Sequence, residues 1–326
     1  PTGRPTTGAA TPLGNHHREK TGVPVQFEFV DATKEKTKAR LALTGPSGAG
    51  KTYTALRVAA ALGEPFAVID TENGSAAEYS TEFTFKHLVM RHYAPQELIS
   101  AIAAANQANF GTLIIDTFSK FWTGAGGMLE QVDDRTRGGN KFATGWRDMR
   151  PVENAMLEAI TTFPGHVIVT MRSKTAYEVQ TNTKGKKEPV KIGLKPEQRE
   201  GVEYEFSIIG DLDRDHLMTI SKARAHNLDG RVIDKPGEEF AAAILEWVND
   251  GVESPDANAF RDRALAPDVT LAELRDMLTE ARRRGLLGAP VMDADSGQPS
   301  TLGDLITKVG TQLKGVEEKG SGALAA

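Results

Sequence analysis

Gly45-Pro46-Ser47-Gly48-Ala49-Gly50-Lys51-Thr52 satisfies G-x-x-x-x-G-K-[ST] in full. The apolar run Arg40-Leu41-Ala42-Leu43-Thr44 precedes it, and an alanine-rich stretch, residues 51–62, follows. A strand that enters a glycine turn and leaves as a helix gathers backbone N–H groups around one point, and the helix turns its positive end to the same point. The glycines remove the Cβ atoms that would keep phosphate oxygens away. In that frame Gly45, Pro46, Ser47, Gly48, Ala49 and Gly50 wrap the phosphates. The Lys51 amine reaches the β- and γ-phosphates of ATP, and the Thr52 hydroxyl ligates Mg²⁺. An ordinary glycine-rich turn is the competing reading; the flanking strand and helix argue against it.

Outward from the loop the chain keeps a strand–helix rhythm. Pro65-Phe66-Ala67-Val68-Ile69-Asp70 and His87-Leu88-Val89-Met90 read as strands, with a helix opening near Pro95. Thr112-Leu113-Ile114-Ile115-Asp116 is another strand, followed by a helix from about Arg147 with Met149, Val152, Met156 and Ile160 on one face. His166-Val167-Ile168-Val169-Thr170 is a further strand. Such alternation predicts an α/β fold, a mostly parallel central sheet flanked by helices. The long stretch between Thr52 and Asp116 leaves room for an extra strand between the two motif strands. Residues 205–209 and 216–220 predict an antiparallel hairpin around Asp211-Leu212-Asp213-Arg214-Asp215, and a helix at residues 238–248 closes the core.

Asp116 ends an apolar strand behind a phosphate loop, where a carboxylate holds Mg²⁺ through water. The next residue is Thr117, whereas an oligomeric unfoldase of the AAA+ kind would place its catalytic Glu there. Another carboxylate must then polarise the attacking water, and Glu72, just past Asp70, is the candidate; a solvated turn residue is the alternative.

The predicted organisation is a disordered arm at residues 1–24, an ATPase core at 25–253, a small helical region at 254–314 and a flexible tail at 315–326. Gln26-Phe27-Glu28-Phe29-Val30 alternates as a half-buried strand, pairing either with its own sheet or with a neighbour's edge. Leu271, Leu274, Met277 and Leu278 recur at helical spacing. The absence of cysteine removes disulfides, thiolate catalysis and cysteine-bound zinc, and the 7 histidines show no metal spacing. A net charge of -5 excludes a uniformly basic nucleic-acid binder but not a basic patch. No apolar run approaches a membrane span and no secretory signature opens the sequence, so the expected location is the cytoplasm, that of the host if a phage encodes the chain.

On these residues the chain resembles the RecA/RadA recombinase core over residues 27–248. Ile69-Asp70-Thr71-Glu72 is similar to the segment carrying that family's catalytic Glu. Tyr79 falls where the family stacks a tyrosine on adenine. Ser221-Lys222-Ala223-Arg224 resembles the element through which one subunit touches its neighbour's γ-phosphate, which implies Lys222 and Arg224 acting in trans in a homo-oligomeric ring or filament. The compact size, the lack of an N-terminal helical domain and Thr170-Met171-Arg172-Ser173-Lys174 resemble the core-only RecA-like ATPases of bacteriophages, implicated in single-strand annealing and recombination. Thr170 or Arg172 would occupy the place of the γ-phosphate sensor, though the residue type differs.

The resemblance implies single-stranded DNA as partner, held by two loops. The first holds Arg135, Arg137, Lys141, Phe142 and Trp146 among glycines, a mixture that suits phosphates and base stacking. The second, residues 172–195, holds Arg172, Lys174, Lys184, Lys186, Lys187, Lys191 and Lys195 against Glu178 and Glu188. Seven cations against two carboxylates leave +5 in a chain whose total is -5. A merely solvated charge run is the bland alternative. The function expected is a DNA-dependent ATPase acting in recombination or annealing; the alternatives are an ATPase whose C-terminal helices dock a single-strand-binding, replication or packaging protein, and a P-loop small-molecule kinase with the basic loop as lid.

Overall fold

The computed structural model describes residues 31–137, 142–181, 187–293 and 295–323; for residues 137, 142–143, 175–181, 187–194 and 316–323 the backbone alone is described. The arm at residues 1–24 and the strand expected at 26–30 lie outside the described residues.

Strand β1 (Arg40–Gly45) leads through the glycine loop into helix α1 (Lys51–Leu62). Then come β2 (Phe66–Asp70), β3 (Lys86–Val89), α2 (Pro95–Gln107) and β4 (Thr112–Asp116). Helices α3 (Lys120–Thr123), α4 (Met128–Arg137) and α5 (Phe142–Thr162) precede β5 (His166–Thr181) and β6 (Lys187–Pro196). The core closes with β7 (Ile208–Leu212), β8 (Leu217–Ala223), β9 (Val232–Asp234) and α6 (Glu238–Asn249).

The nine strands form one sheet in the order β3-β2-β4-β5-β1-β7-β8-β9, with β6 paired to β5 alone. The run from β3 to β7 is parallel, and β8 and β9 turn back antiparallel. A strand does separate the two motif strands, but it is β5, from beyond Asp116; β2 and β3, from the stretch between Thr52 and Asp116, lie on the far side of β4. Alternate side chains of the central strands feed two cores. Leu41, Leu43, Ile114 and Ile168 pack with residues of α1 and α6, while Ala42, Ile115, Val167 and Val169 pack with residues of α2 and α5. Burial on both faces is why these strands read as unbroken apolar runs rather than alternating ones. Each fully buried Leu or Ile contributes about 1.5–3 kcal/mol.

At the base of the sheet Arg40 is buried and donates to main-chain carbonyls of Ala39, Thr161, Phe163 and Gly165. It caps the end of α5 with cationic donors, as helix C-termini favour. Burial without a carboxylate lowers its pKa to about 9.

Three expectations change. α5 starts at Phe142, ahead of Arg147, so the first expected loop is largely the ends of two helices. Of residues 172–195, the described ones are mostly strand rather than loop: β5 continues beyond its pairing with β1 and pairs antiparallel with β6 from Ser173 to Thr181. The cations that crowd this stretch give it the composition of a loop, although Val190, Ile192 and Leu194 alternate as a strand would. The last helix of the chain also runs past Gly315.

The C-terminal region comprises α7 (Ala257–Ala264), α8 (Leu271–Arg283), β10 (Pro290–Met292), β11 (Pro299–Thr301) and α9 (Leu302–Ala323). The backbone stays helical to Ala323, where the sequence predicts a flexible tail; extending an existing helix is far easier than nucleating one. Phe260, Leu274, Val291, Leu302 and Ile306 form a separate core. Asn106 Nδ2 on α2 donates to Pro290 O at 3.0 Å, and Gly288 N donates to Glu158 Oε1 on α5 at 3.1 Å, which fastens the region to one flank of the core. Among the described residues no helix is long and apolar enough to cross a membrane.

Candidate nucleotide site

The site lies at the carboxyl ends of β1, β2, β4 and β5, where open parallel sheets place their ligands. Gly45 ends β1 so close to its neighbour that a Cβ there would stand 2.5 Å from Leu212 O. Gly50 adopts φ 79, the left-handed region that glycine tolerates, and turns the chain into α1. It supplies no side-chain cap, and the first turn of α1 holds no acidic residue. That arrangement suits an incoming anion.

Lys51 Nζ donates to the carbonyls of Gly45 and Pro46 at 3.0 and 2.8 Å, folding the amine over the loop. Burial lowers its pKa; Asp116 and Glu72 oppose the shift. Asp116 is 1% exposed and is held from both sides. Thr52 Oγ1 donates to its Oδ2 at 2.6 Å, and Thr170 Oγ1 donates to Oδ1. Burial raises the Asp116 pKa, and the bonds from Thr170 and Thr52 offset only part of that rise. Of the two sensor candidates, Thr170 is therefore committed to Asp116 beneath the site, whereas Arg172 lines the cavity above.

Among the described residues no three His, Cys, Asp or Glu side chains cluster as a metal cage. One carboxylate and one hydroxyl, 2.6 Å apart beside an anion-binding loop, fit Mg²⁺, an oxygen-seeking ion that keeps waters and shares phosphate ligands.

Glu72 is placed by a residue that the sequence reading passes over. Asp70 is 0% exposed; its Oδ1 accepts from the N–H groups of Glu72 and Gly74 at 2.6 and 3.2 Å. Its Oδ2 accepts from Ala76 N at 3.0 Å and meets His87 Nε2 at 3.1 Å. The carboxylate thus shapes the whole turn after β2, and the Asp-x-x-Asn-Gly pattern was the available signal. Glu72 emerges from that turn to meet Arg172, whose Nη2 and Nε donate to Oε1 at 2.6 and 3.1 Å.

Lys51, Thr52, Glu72, Tyr79, Lys120 and Arg172 line one cavity of 740 Å³. Tyr79 ends a short 3₁₀ turn, half-buried, its ring edge-on to Tyr53 at 5.5 Å. Lys120 and Glu197 also face the cavity, brought there by α3 and the end of β6; nothing in their local sequence marks them.

Lys222 and Arg224 do not join this group. Ala223 is level with Ile208 and through it with Leu41, so Lys222 near the end of β8 and Arg224 just past it lie roughly 13 Å down the sheet from Gly45. Lys222 Nζ donates to Glu203 O at 2.7 Å and lies over the Tyr204 ring. A second cleft, of 580 Å³, opens at that lower end beside the C-terminal region. Its Lys36 and Arg284 are ion-paired with Glu253 and Glu35.

The DNA candidates divide. Lys174 and Lys195 face each other across β5 and β6, both exposed. Lys187 and Lys191 lie on β6, while Lys184, Lys186 and Lys141 are outside the described residues. Arg135 is on α4, where it donates to Gln131 O; Arg137 ends that helix and Phe142 begins α5. Trp146 is no free stacking ring: it packs on Trp122 at 5.5 Å and against the core, because α5 begins early enough to turn it inward.

A phosphate loop between β1 and α1, with a buried aspartate on the strand two places away, defines a P-loop nucleoside triphosphatase. A family model described as an AAA domain matches residues 37–235, and the chain belongs to that family. It is an AAA-type P-loop ATPase domain, with Thr117 rather than Glu after Asp116. No curated protein matches the sequence.

Proposed function

We propose that this chain is an ATP-dependent, single-stranded-DNA-binding protein of recombination or annealing, similar to the RecA-like ATPases of bacteriophages and active as an oligomer. The observation that carries the reading is continuity: β5 runs from the nucleotide site straight into the basic hairpin. Arg172 in the cavity and Lys174 at the root of the hairpin are two residues apart on that strand. A polyanion on the hairpin and a nucleotide on the loop would therefore bear on one rigid element.

Mg²⁺, when bound, neutralises charge building on the phosphates. Lys51 binds the β- and γ-phosphates, Thr52 and Asp116 orient the metal, and Tyr79 offers its ring to the base. Glu72 orients a water and takes its proton at a carboxylate oxygen. Lys222 and Arg224 lie too far down the sheet for their own loop, which supports a role on a neighbouring subunit's phosphate. Lys174, Lys187, Lys191 and Lys195 hold DNA phosphates.

ATP hydrolysis is measured with and without single-stranded DNA, for wild type and Lys51→Ala, with DNA binding followed across a salt series. The expected result is hydrolysis that DNA stimulates, that Lys51→Ala abolishes, and DNA affinity that falls steeply with salt. Absence of DNA binding at low salt removes the recombination reading and leaves an ATPase acting on a protein partner.

A further inference from the structure

We propose that Arg172 is a latch on Glu72: its guanidinium occupies the carboxylate until a γ-phosphate on the loop draws it away and frees Glu72 to orient water. The inference rests on the nucleotide reading above and adds to it a residue that discriminates triphosphate from diphosphate.

The contact itself comes first. Nη2 and Nε of Arg172 both bond Oε1 of Glu72, at 2.6 and 3.1 Å. Both bonds fall on Oε1, so the guanidinium stands where a water held by that oxygen would sit. Glu72 is thus present in the cavity but engaged.

The pair is also weak enough to exchange. The two side chains are 45% and 31% exposed, and ion pairs of that kind contribute little against water. A γ-phosphate offers the guanidinium fork more charge and a better-matched set of oxygens than one carboxylate does. Arg172 shares the cavity with Lys51 and Thr52, so it lies within a side-chain swing of the loop.

Only the side chain has to move. The main chain of Arg172 is pinned, its N–H donating to Ser119 Oγ at 3.0 Å and its carbonyl accepting from Glu197 N at 2.6 Å. Thr170, the other polar residue at this strand end, is already bonded to Asp116 and is not available for the exchange. Arg172 is accordingly a positioning residue that acts through Glu72. A diphosphate, lacking the third group, leaves the latch closed.

A thermodynamic cycle tests this. Affinities for a non-hydrolysable ATP analogue and for ADP are measured by calorimetry on wild type, Glu72→Gln, Arg172→Ala and the double variant. Arg172→Gln replaces the alanine variant if that one melts early. In the latch, Glu72→Gln spares the γ-phosphate its competition for the guanidinium. The analogue then tightens about three- to fivefold relative to ADP, and that gain vanishes when Arg172 is already absent. Simple repulsion between Glu72 and the γ-phosphate gives the reverse, a gain as large or larger without Arg172, and that result overturns the latch alone. Failure of the wild type to bind the analogue overturns the nucleotide reading and the latch together.

Discussion

His166 ties the start of β5 to the start of β1, and it can do so only while uncharged. Its Nδ1 accepts the Ala39 N–H at 3.1 Å, so the ring carries its one proton on Nε2. Burial first, then Lys38 and Arg40, hold its pKa down to about 4 from 6.5. The unfolded chain therefore binds a proton that the folded chain refuses between those values. Stability from this residue is fully present above about pH 6.5 and is lost as pH falls towards 4. At about 1.4 kcal/mol per pH unit the ceiling is about 3 kcal/mol, of which about 2 kcal/mol is gone by about pH 5. Asparagine at this position keeps a carbonyl acceptor but cannot titrate. Urea unfolding of wild type and His166→Asn at about pH 7.5 and about pH 5 gives a double difference from which other titrating groups cancel. The wild type is expected to lose about 2 kcal/mol more than the variant over that interval. Equal losses in the two proteins would refute the assignment of a neutral, proton-refusing ring.

Two further outcomes are expected. Gly45→Ala pushes a Cβ to within 2.5 Å of Leu212 O, a main-chain atom that cannot swing away. Thermal and urea unfolding should show a loss of about 1–3 kcal/mol, together with weakened nucleotide binding. Glu72→Gln should slow hydrolysis by about 10²–10⁴-fold while the protein still binds an ATP analogue; near-normal turnover would remove Glu72 from the chemistry.

The legible parts of this protein are those whose physics is local. The glycine loop had to be contiguous, since backbone N–H groups converge on a phosphate only over a short turn, and so it stands in the sequence entire. The strands with both faces buried, such as Leu113-Ile114-Ile115, announce themselves as apolar runs for the same reason. The hairpin of β5 and β6 was hidden, because its residues carry the charge of a loop and its pairing joins positions that only the folded chain sets side by side. Trp146 read as a stacking ring until helix α5 proved to turn it onto Trp122.

By itself, then, the sequence determined the phosphate loop, the parallel α/β sheet and the aspartate at the end of β4, each written in consecutive residues. Tertiary structure alone decided that Thr170 serves Asp116, that Arg172 meets Glu72 across 100 positions of chain, and that Lys222 and Arg224 stand away from their own loop. The reason is geometric: strand order and register bring these side chains together or part them, and neither is encoded by any neighbouring run of residues.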